Sequence, residues 1–290
     1  MMAISEQRKG ELLIFFQALI WGMFPVITVL AYAEVLPLTA LGVSTLFSSV
    51  FFALVLTKRG KWREVLDSRA FWDVLLGTLF LGILFYVLFF LGLKHTSPGN
   101  AGIIASTEVL FSFVFFHLWR RDSIPTSHIF GVVLMMLGAV IVLYPSFTHL
   151  RTGDFLVLTA AFVAPFGNFF QQRARKIVSS EAILFFRSVV SGSVVLFFVY
   201  FTSGPSIFSG AKGAFWVLLL NGVLVLGLGK VLWVEGIHRI SVTKANALSM
   251  ISPLLTLIYA WVLLNQSPTI WQLSAFVPLF FGTILLSRKA

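Results

Sequence analysis

No cysteine occurs among the 290 residues, which excludes disulfides, thiolate metal centres and a cysteine nucleophile. Charge is scarce as well. Asp, Glu, Lys and Arg together make up 11% of the chain, against about 25% in soluble domains. So few charges cannot coat a 32.3 kDa globule in water. The five histidines, His95, His117, His128, His149 and His238, are scattered near the ends of apolar runs. They form none of the paired patterns that hold a metal, and no Gly-x-x-x-x-Gly-Lys loop is present to cradle nucleotide phosphates. No cofactor is expected, and an enzyme has no catalytic constellation to work with.

What the chain has instead is apolar length. Hydrophobic residues reach 58%, phenylalanine alone numbers 32, and the mean hydropathy is +0.96. A membrane-crossing helix needs about 20 apolar residues. Ten such stretches follow one another at 12–31, 37–57, 71–93, 99–119, 125–145, 154–173, 181–202, 213–236, 242–264 and 269–287. Runs such as Leu79-Phe80-Leu81-Gly82-Ile83-Leu84-Phe85 do not alternate as the strands of a lipid-facing barrel would. The expected fold is therefore all-α and integral to the membrane. The clustered phenylalanines read first as lipid-facing and helix-packing surface.

The net charge of +10 has two readings, a nucleic-acid surface or cytoplasmic loops, and position decides between them. With ten spans both termini share a side. If that side is cytoplasmic, sixteen of the 21 Lys and Arg lie inside, among them Arg8, Lys9, Lys58, Arg59, Lys61, Arg63, Arg69, Arg121, Arg288 and Lys289. Lys94, Arg151 and Lys212 lie outside, and Arg187 and Lys230 fall within spans. This asymmetry is an orientation signal, which predicts a bacterial inner-membrane protein and removes nucleic acid as a partner. Arg8-Lys9, an apolar run and Ala31-Tyr32-Ala33 resemble a signal peptide, but the run of about 19 residues exceeds the usual 7–15. It is read as an uncleaved first helix.

The sequence also repeats itself. Shifted by 144, Ala70-Phe71-Trp72 falls on Ala214-Phe215-Trp216, Gly92 on Gly236, Ala101 on Ala245 and Gly138 on Gly282. Near the N-terminus the shift is 143, with Gly10-Glu11 on Gly153-Asp154. Two five-span repeats are expected, 10–147 and 148–290. Five is odd, so the second copy enters the membrane upside down. Inverted repeats of this kind are a common build of secondary transporters, whose site lies between the halves.

These features resemble the drug/metabolite transporter superfamily of EamA type, over about 10–143 and 153–287. The resemblance rests on the 5+5 layout, Trp21-Gly22, the Arg187 position, and the stretch from Ser241 through Lys244-Ala245-Asn246 to Ser252-Pro253. Gly131 and Gly138, with Ala275 and Gly282, match the closing-helix pattern. The chain departs from the superfamily where a Pro and a Gly-Glu pair are usual. Glu108-Val109 and Arg121-Asp122 stand there in the first half, and Ser252-Pro253 and Asn265-Gln266 in the second. The resemblance implies a ten-helix transporter, and the superfamily's cargoes range from amino acids and other metabolites to drugs and nucleotide sugars.

Polar groups inside spans cost about 2.5–3.5 kcal/mol each when charged, and those retained usually face an interior cavity. Glu108 lies mid-span, either a proton-titrating carboxylate or anchor for an amine, or a structural acid bonded to neighbouring helices. Lys230 follows Gly227-Leu228-Gly229 and would hold a carboxylate or phosphate, or pair with an acid. Glu235, five residues on, is a poor intrahelical partner for it. Trp21, Asn168, Tyr86 and Tyr259 are the candidate cavity wall, with Tyr86 falling on Lys230 by the 144 shift. Arg187, Pro25, Pro165 and Pro253 are assigned to gating or structure. Together these predict a small amphoteric cargo, with amino-acid or related export first and protons as candidate coupling ion. The alternatives are an exchanger of phosphorylated or nucleotide-linked metabolites using Lys230, Arg187 and Lys244, and a membrane-embedded lipid-handling protein or enzyme. Lipid surrounds the chain, as monomer or homodimer.

Overall fold

The computed structural model describes residues 5–120, 126–149 and 151–287. Arg121, Asp122, Arg288 and Lys289 lie outside the described residues, as do the side chains of residues 117–120, 126–127, 146–149, 243, 246–247 and 286–287. Ten apolar helical spans follow in order. They are α1 (Glu6–Gly22 continuing as Phe24–Ala31), α2 (Pro37–Arg59), α3 (Phe71–Leu93), α4 (Pro98–Ala105 and Glu108–Arg120) and α5 (Thr126–His149). The second five are α6 (Thr152–Ala174), α7 (Ser180–Ser203), α8 (Phe215–Arg239), α9 (Val242–Leu248 and Ile251–Leu264) and α10 (Ile270–Ser287). Eight are long and apolar enough to cross a membrane, and Ile251–Leu264 and Ile270–Leu285 are shorter apolar helices. No strand occurs among the described residues.

Local chemistry sets the helix ends. Pro37 and Pro98 occupy first-turn positions of α2 and α4, where a missing N–H costs nothing. Gly60, at φ 65°, closes α2 by donating to the Leu56 and Thr57 carbonyls, a left-handed cap that needs no Cβ. Outward surfaces are apolar, as lipid requires: Phe201 and Trp216 are 70% and 75% exposed. The phenylalanines divide between the two surfaces, since Phe24, Phe52, Phe89, Phe90 and Phe113 are buried.

Packing between the halves is symmetric. In the first half α3 and α4 both pack on α6, while α8 and α9 both pack on α1; α3 meets α7 as α8 meets α2. Exchanging the halves turns each of these contacts into another of the same set, and the pairs α2–α7, α4–α9 and α5–α10 map onto themselves. That closure marks a pseudo-two-fold relation. Glycine confirms it where α5 crosses α10: a Cβ on Gly138 would stand 2.9 Å from the Ala275 carbonyl oxygen, and one on Gly282 2.8 Å from that of Gly131.

The symmetry extends to backbone irregularities. Residues Thr78–Leu84 of α3 and Asn221–Gly229 of α8 form wide π-helical turns, 143–145 residues apart. α4 breaks at Ser106–Thr107 and α9 at Ser249–Met250. Pi-turns and broken membrane helices recur at functional sites because they free backbone groups and re-aim side chains.

The two ends of the bundle differ. One end, which carries Glu6, holds ion pairs: Lys244–Glu11 at 2.6 Å, Arg175–Glu235 at 2.9 Å, Arg239–Glu235 at 2.5 Å and Arg59–Glu181 at 2.9 Å. The opposite end is joined by neutral donors around Asp154. Thr96 Oγ1 and Asn100 Nδ2 donate to its carboxylate, the latter at 3.3 Å, and Gln272 Nε2 donates to Asn100 Oδ1 at 2.7 Å.

Candidate functional site

A partly open cavity lies between the halves. Its walls come from α1, α3 and α4 on one side and α6, α7, α8 and α9 on the other. Both helix breaks open onto it, through Ala105, Ser106 and Glu108 on α4 and Ser249, Met250, Ser252 and Pro253 on α9. Away from the ion-paired end it is backed by an aromatic stack. Trp21 lies 4.5 Å from Phe24, and Phe24 lies 5.0 Å from Phe89 between ring centroids. Phe24, Phe89 and Phe90 are at most 1% exposed.

Lys230 begins the regular helix after the π-turn of α8. Its Nζ sits 3.8 Å from the Trp21 ring centroid and 5.3 Å from that of Tyr86. Aromatic faces attract a cation electrostatically, by about 2 kcal/mol when it is desolvated. They satisfy no N–H donor, so the ammonium keeps its capacity for an anion. No carboxylate of the described residues forms an ion pair with it; Glu235 is engaged by Arg175 and Arg239.

Glu108 starts the second piece of α4, where the helix N-terminus favours a carboxylate. Its Oε1 accepts from Asn168 Nδ2 at 2.6 Å, and Asn168 Oδ1 accepts from Trp233 Nε1 at 3.1 Å. This chain across α4, α6 and α8 fixes the Asn168 amide and aims the carboxylate. On α7, Arg187 donates from Nη1 to Gln171 Oε1 at 2.6 Å.

Of the residues singled out from the sequence, Lys230, Glu108, Trp21, Asn168, Arg187 and Pro253 line one cavity. Tyr86 stands behind Lys230 in the wall and is 5% exposed. Pro25 and Pro165 are buried in α1 and α6 away from the lining. Tyr259 is a correction: it lies on α9 beyond Thr256, partly exposed, and does not reach the cavity. A tyrosine is amphipathic, and nothing obliges it to face inward. Lys244, expected as one of three cations for a phosphorylated cargo, is held by Glu11 and lies outside the lining. Sequence reasoning missed Trp233, Ser249 and Ser252. Trp233 could have been found from its three-residue spacing to Lys230, which places both on one helix face. Among the described residues no group of His, Asp and Glu could hold a metal ion.

The comparisons with known proteins agree with this architecture. The model of the EamA-like transporter family matches twice, at residues 8–144 and 151–288. An uncharacterized transporter of Bacillus subtilis (strain 168), YoaV, is 23% identical over 283 residues, 93% of this chain and 95% of the relative. A second from the same organism, YvbV, is 22% identical over 285 residues, 97% and 92% of the two chains. A solved crystal structure superposes with a TM-score of 0.75 at 18% identity, over 96% of each chain, which bears on the fold alone. With both halves matched, nearly the whole sequence is accounted for, and the chain belongs to the EamA-like transporter family of drug/metabolite membrane transporters.

Proposed function

We propose that the cavity binds a small amphoteric metabolite, an amino acid or a related compound, and that the chain exports it by alternating access. The two repeats, 10–147 and 148–290, rock about the midplane site. The observation that carries this reading is the pairing of opposite charges in one chamber between the halves. Lys230, cradled by Trp21 and Tyr86, receives the anionic group, and Glu108, held by Asn168, receives the amine or the coupled proton. Lysine and arginine placement supports both termini in the cytoplasm, the ion-paired end inside the cell and the chain in the plasma membrane.

The competing cargo, a phosphorylated or nucleotide-linked metabolite, is supported less well. Phosphate cradles converge several cations on one point, and Lys244 is committed to Glu11.

Proteoliposome uptake of labelled amino acids tests the proposal. Lys230→Ala and Glu108→Gln should each cut uptake by about tenfold or more, the scale of one lost charge-assisted contact of 1.5–3 kcal/mol, with monodisperse protein retained. In Glu108→Gln the residual uptake should lose its dependence on a pH gradient. Undiminished uptake in both variants overturns the site; phosphorylated metabolites moving while amino acids do not overturns the cargo.

A further inference from the structure

Lys230 and Glu108 leave two buried polar groups of the same cavity without a task. Arg187 is 6% exposed, and its guanidinium has Gln171 Oε1 as its one hydrogen-bond acceptor among the described residues. No carboxylate there forms an ion pair with it, whereas Arg175 and Arg239 share Glu235. Gln171 is 1% exposed. Its orientation is settled chemically, because the amide must turn its oxygen to a guanidinium that has donors and no acceptor. That leaves Nε2, enclosed and without a hydrogen-bond partner.

Both arrangements are expensive. A buried donor left unmade forfeits the solvation it had in water, and a buried charge without a counter-charge forfeits more. Arg187 and Gln171 both line the cavity. What the pair lacks is an acceptor bearing negative charge. A guanidinium with a second N–H group beside it suits a planar carboxylate, which accepts two parallel bonds from such a fork.

The charge balance points the same way. Lys230 and Arg187 against Glu108 leave the lining with one excess positive charge. A zwitterion of zero net charge would leave that excess standing in a low-dielectric chamber. A cargo with two anionic groups and one amine would cancel it.

On the amphoteric-cargo reading just given, we infer that Arg187 and Gln171 form a second anion subsite and that the cargo is an amino dicarboxylate. One carboxylate meets Lys230, the amine meets Glu108, and the second carboxylate bridges Arg187 and the free Gln171 amide. Arg187 is thereby a specificity-determining residue as well as a packing one.

The test is ligand stabilisation of the purified full-length protein in detergent, since a ligand that binds the folded state raises its apparent stability in proportion to occupancy. The probes are aspartate and glutamate, their amides asparagine and glutamine, and the amine-free diacids succinate and glutarate. The acids should bind about tenfold or more tightly than either the amides or the amine-free diacids, the equivalent of about 1.4 kcal/mol. Arg187→Gln should collapse the acid-to-amide ratio to about twofold or less. Gln171→Glu gives Arg187 a carboxylate of its own, so the buried charge stays paired and the chain folds even where Arg187→Gln does not; it should collapse the ratio equally. Equal binding of acids and amides by the unaltered protein overturns the second subsite while leaving the amphoteric cargo intact. Persistence of the preference in folded Gln171→Glu does the same. If neither acids nor amides stabilise the protein or move across the bilayer, the cargo reading fails and this inference fails with it.

Discussion

Two latches close the bundle at its opposite ends, and they occupy equivalent positions in the two repeats. At the ion-paired end, Glu11 near the start of α1 meets Lys244 near the start of α9, whose backbone N–H is capped by Ser241 Oγ at 3.3 Å. At the opposite end, Asp154 near the start of α6 meets Asn100 near the start of α4, capped by Ser97 Oγ at 3.1 Å. Glu11 corresponds to Asp154 by the shift of 143, and Ser241 and Lys244 to Ser97 and Asn100 by 144. The acid and the serine cap are therefore common to both halves, and only the partner differs. The lesson is that the latch made of two charges is the weaker one. Lys244 and Glu11 are 36% and 33% exposed, and exposed ion pairs contribute about 0–1 kcal/mol. Asp154 is fully buried and Asn100 5% exposed, so each donor lost there weakens the solvation of a buried charge.

The largest expected effect breaks the stronger latch. Asn100→Leu removes a donor from the Asp154 carboxylate and takes from the Gln272 amide its shorter acceptor, leaving Ser97 Oγ at 3.3 Å. It should lower unfolding free energy by about 2–3 kcal/mol, the usual cost of unsatisfied buried polar groups. Lys244→Leu should cost about 1 kcal/mol or less. Denaturant titration of both variants in the same detergent makes the comparison, and equal losses would mean that the two latches are energetically alike.

Much of this architecture was legible in the sequence, for identifiable reasons. Every one of the ten apolar stretches became a helix, since a chain that spans lipid must bond its backbone internally. The duplication was legible because glycines at crossings tolerate no Cβ, so Gly138 and Gly282 stand out at their offset. Lys230, Glu108 and Asn168 could be placed because a polar group in mid-span has few places to go. Tyr259 failed that logic, since its ring is at home in lipid-facing or packed positions alike. The π-turns at Thr78–Leu84 and Asn221–Gly229 left no mark in composition, yet they shift the helix phase that decides where Lys230 points. Arg187 could be assigned only to gating or structure, because two turns from a span end a long side chain can snorkel out or turn in, and Gln171, which accepts from it, sits on another helix.

A moderate effect sharpens the contrast by screening. At 1 M salt the Debye length falls to about 3 Å, which weakens an exposed ion pair and leaves a buried hydrogen-bonded carboxylate almost untouched. The stability difference between the unaltered protein and Lys244→Leu should fall toward zero between 0.05 and 1 M NaCl, on that screening argument. The difference for Asn100→Leu should stay constant. Thermal-shift series at both salt concentrations read this directly, and parallel salt dependence would place the two latches in the same dielectric setting.

The smallest effect concerns the loops beside those ends. Glu64, in the turn Trp62–Glu64 after α2, accepts from the backbone N–H of Ser179 at 2.7 Å, pinning the loop to the start of α7. The corresponding turn after α7, Pro205–Phe208, is held by an apolar anchor, Ile207, which is 5% exposed. Partial burial pushes the Glu64 carboxyl up, but hydrogen bonding by Ser179 and the charges of Lys61 and Arg175 outweigh it, so its pKa lies below the ordinary value of 4.5. A group depressed in this way stabilises the folded state fully above its unfolded pKa, and that contribution is lost as pH falls through the folded value. Protection of the Ser179 amide from hydrogen exchange should therefore hold down to about pH 4.5 and decline below it. Protection within Pro205–Phe208 should not change over the same interval. Glu64→Gln should abolish the pH response at Ser179 while costing about 1 kcal/mol or less, since the acceptor is half-exposed and an amide oxygen remains in its place. A Ser179 amide with the same protection factor on both sides of pH 4.5 would show that the loop is held by the packing of Trp62 on Phe185 instead, whose ring centroids lie 5.0 Å apart.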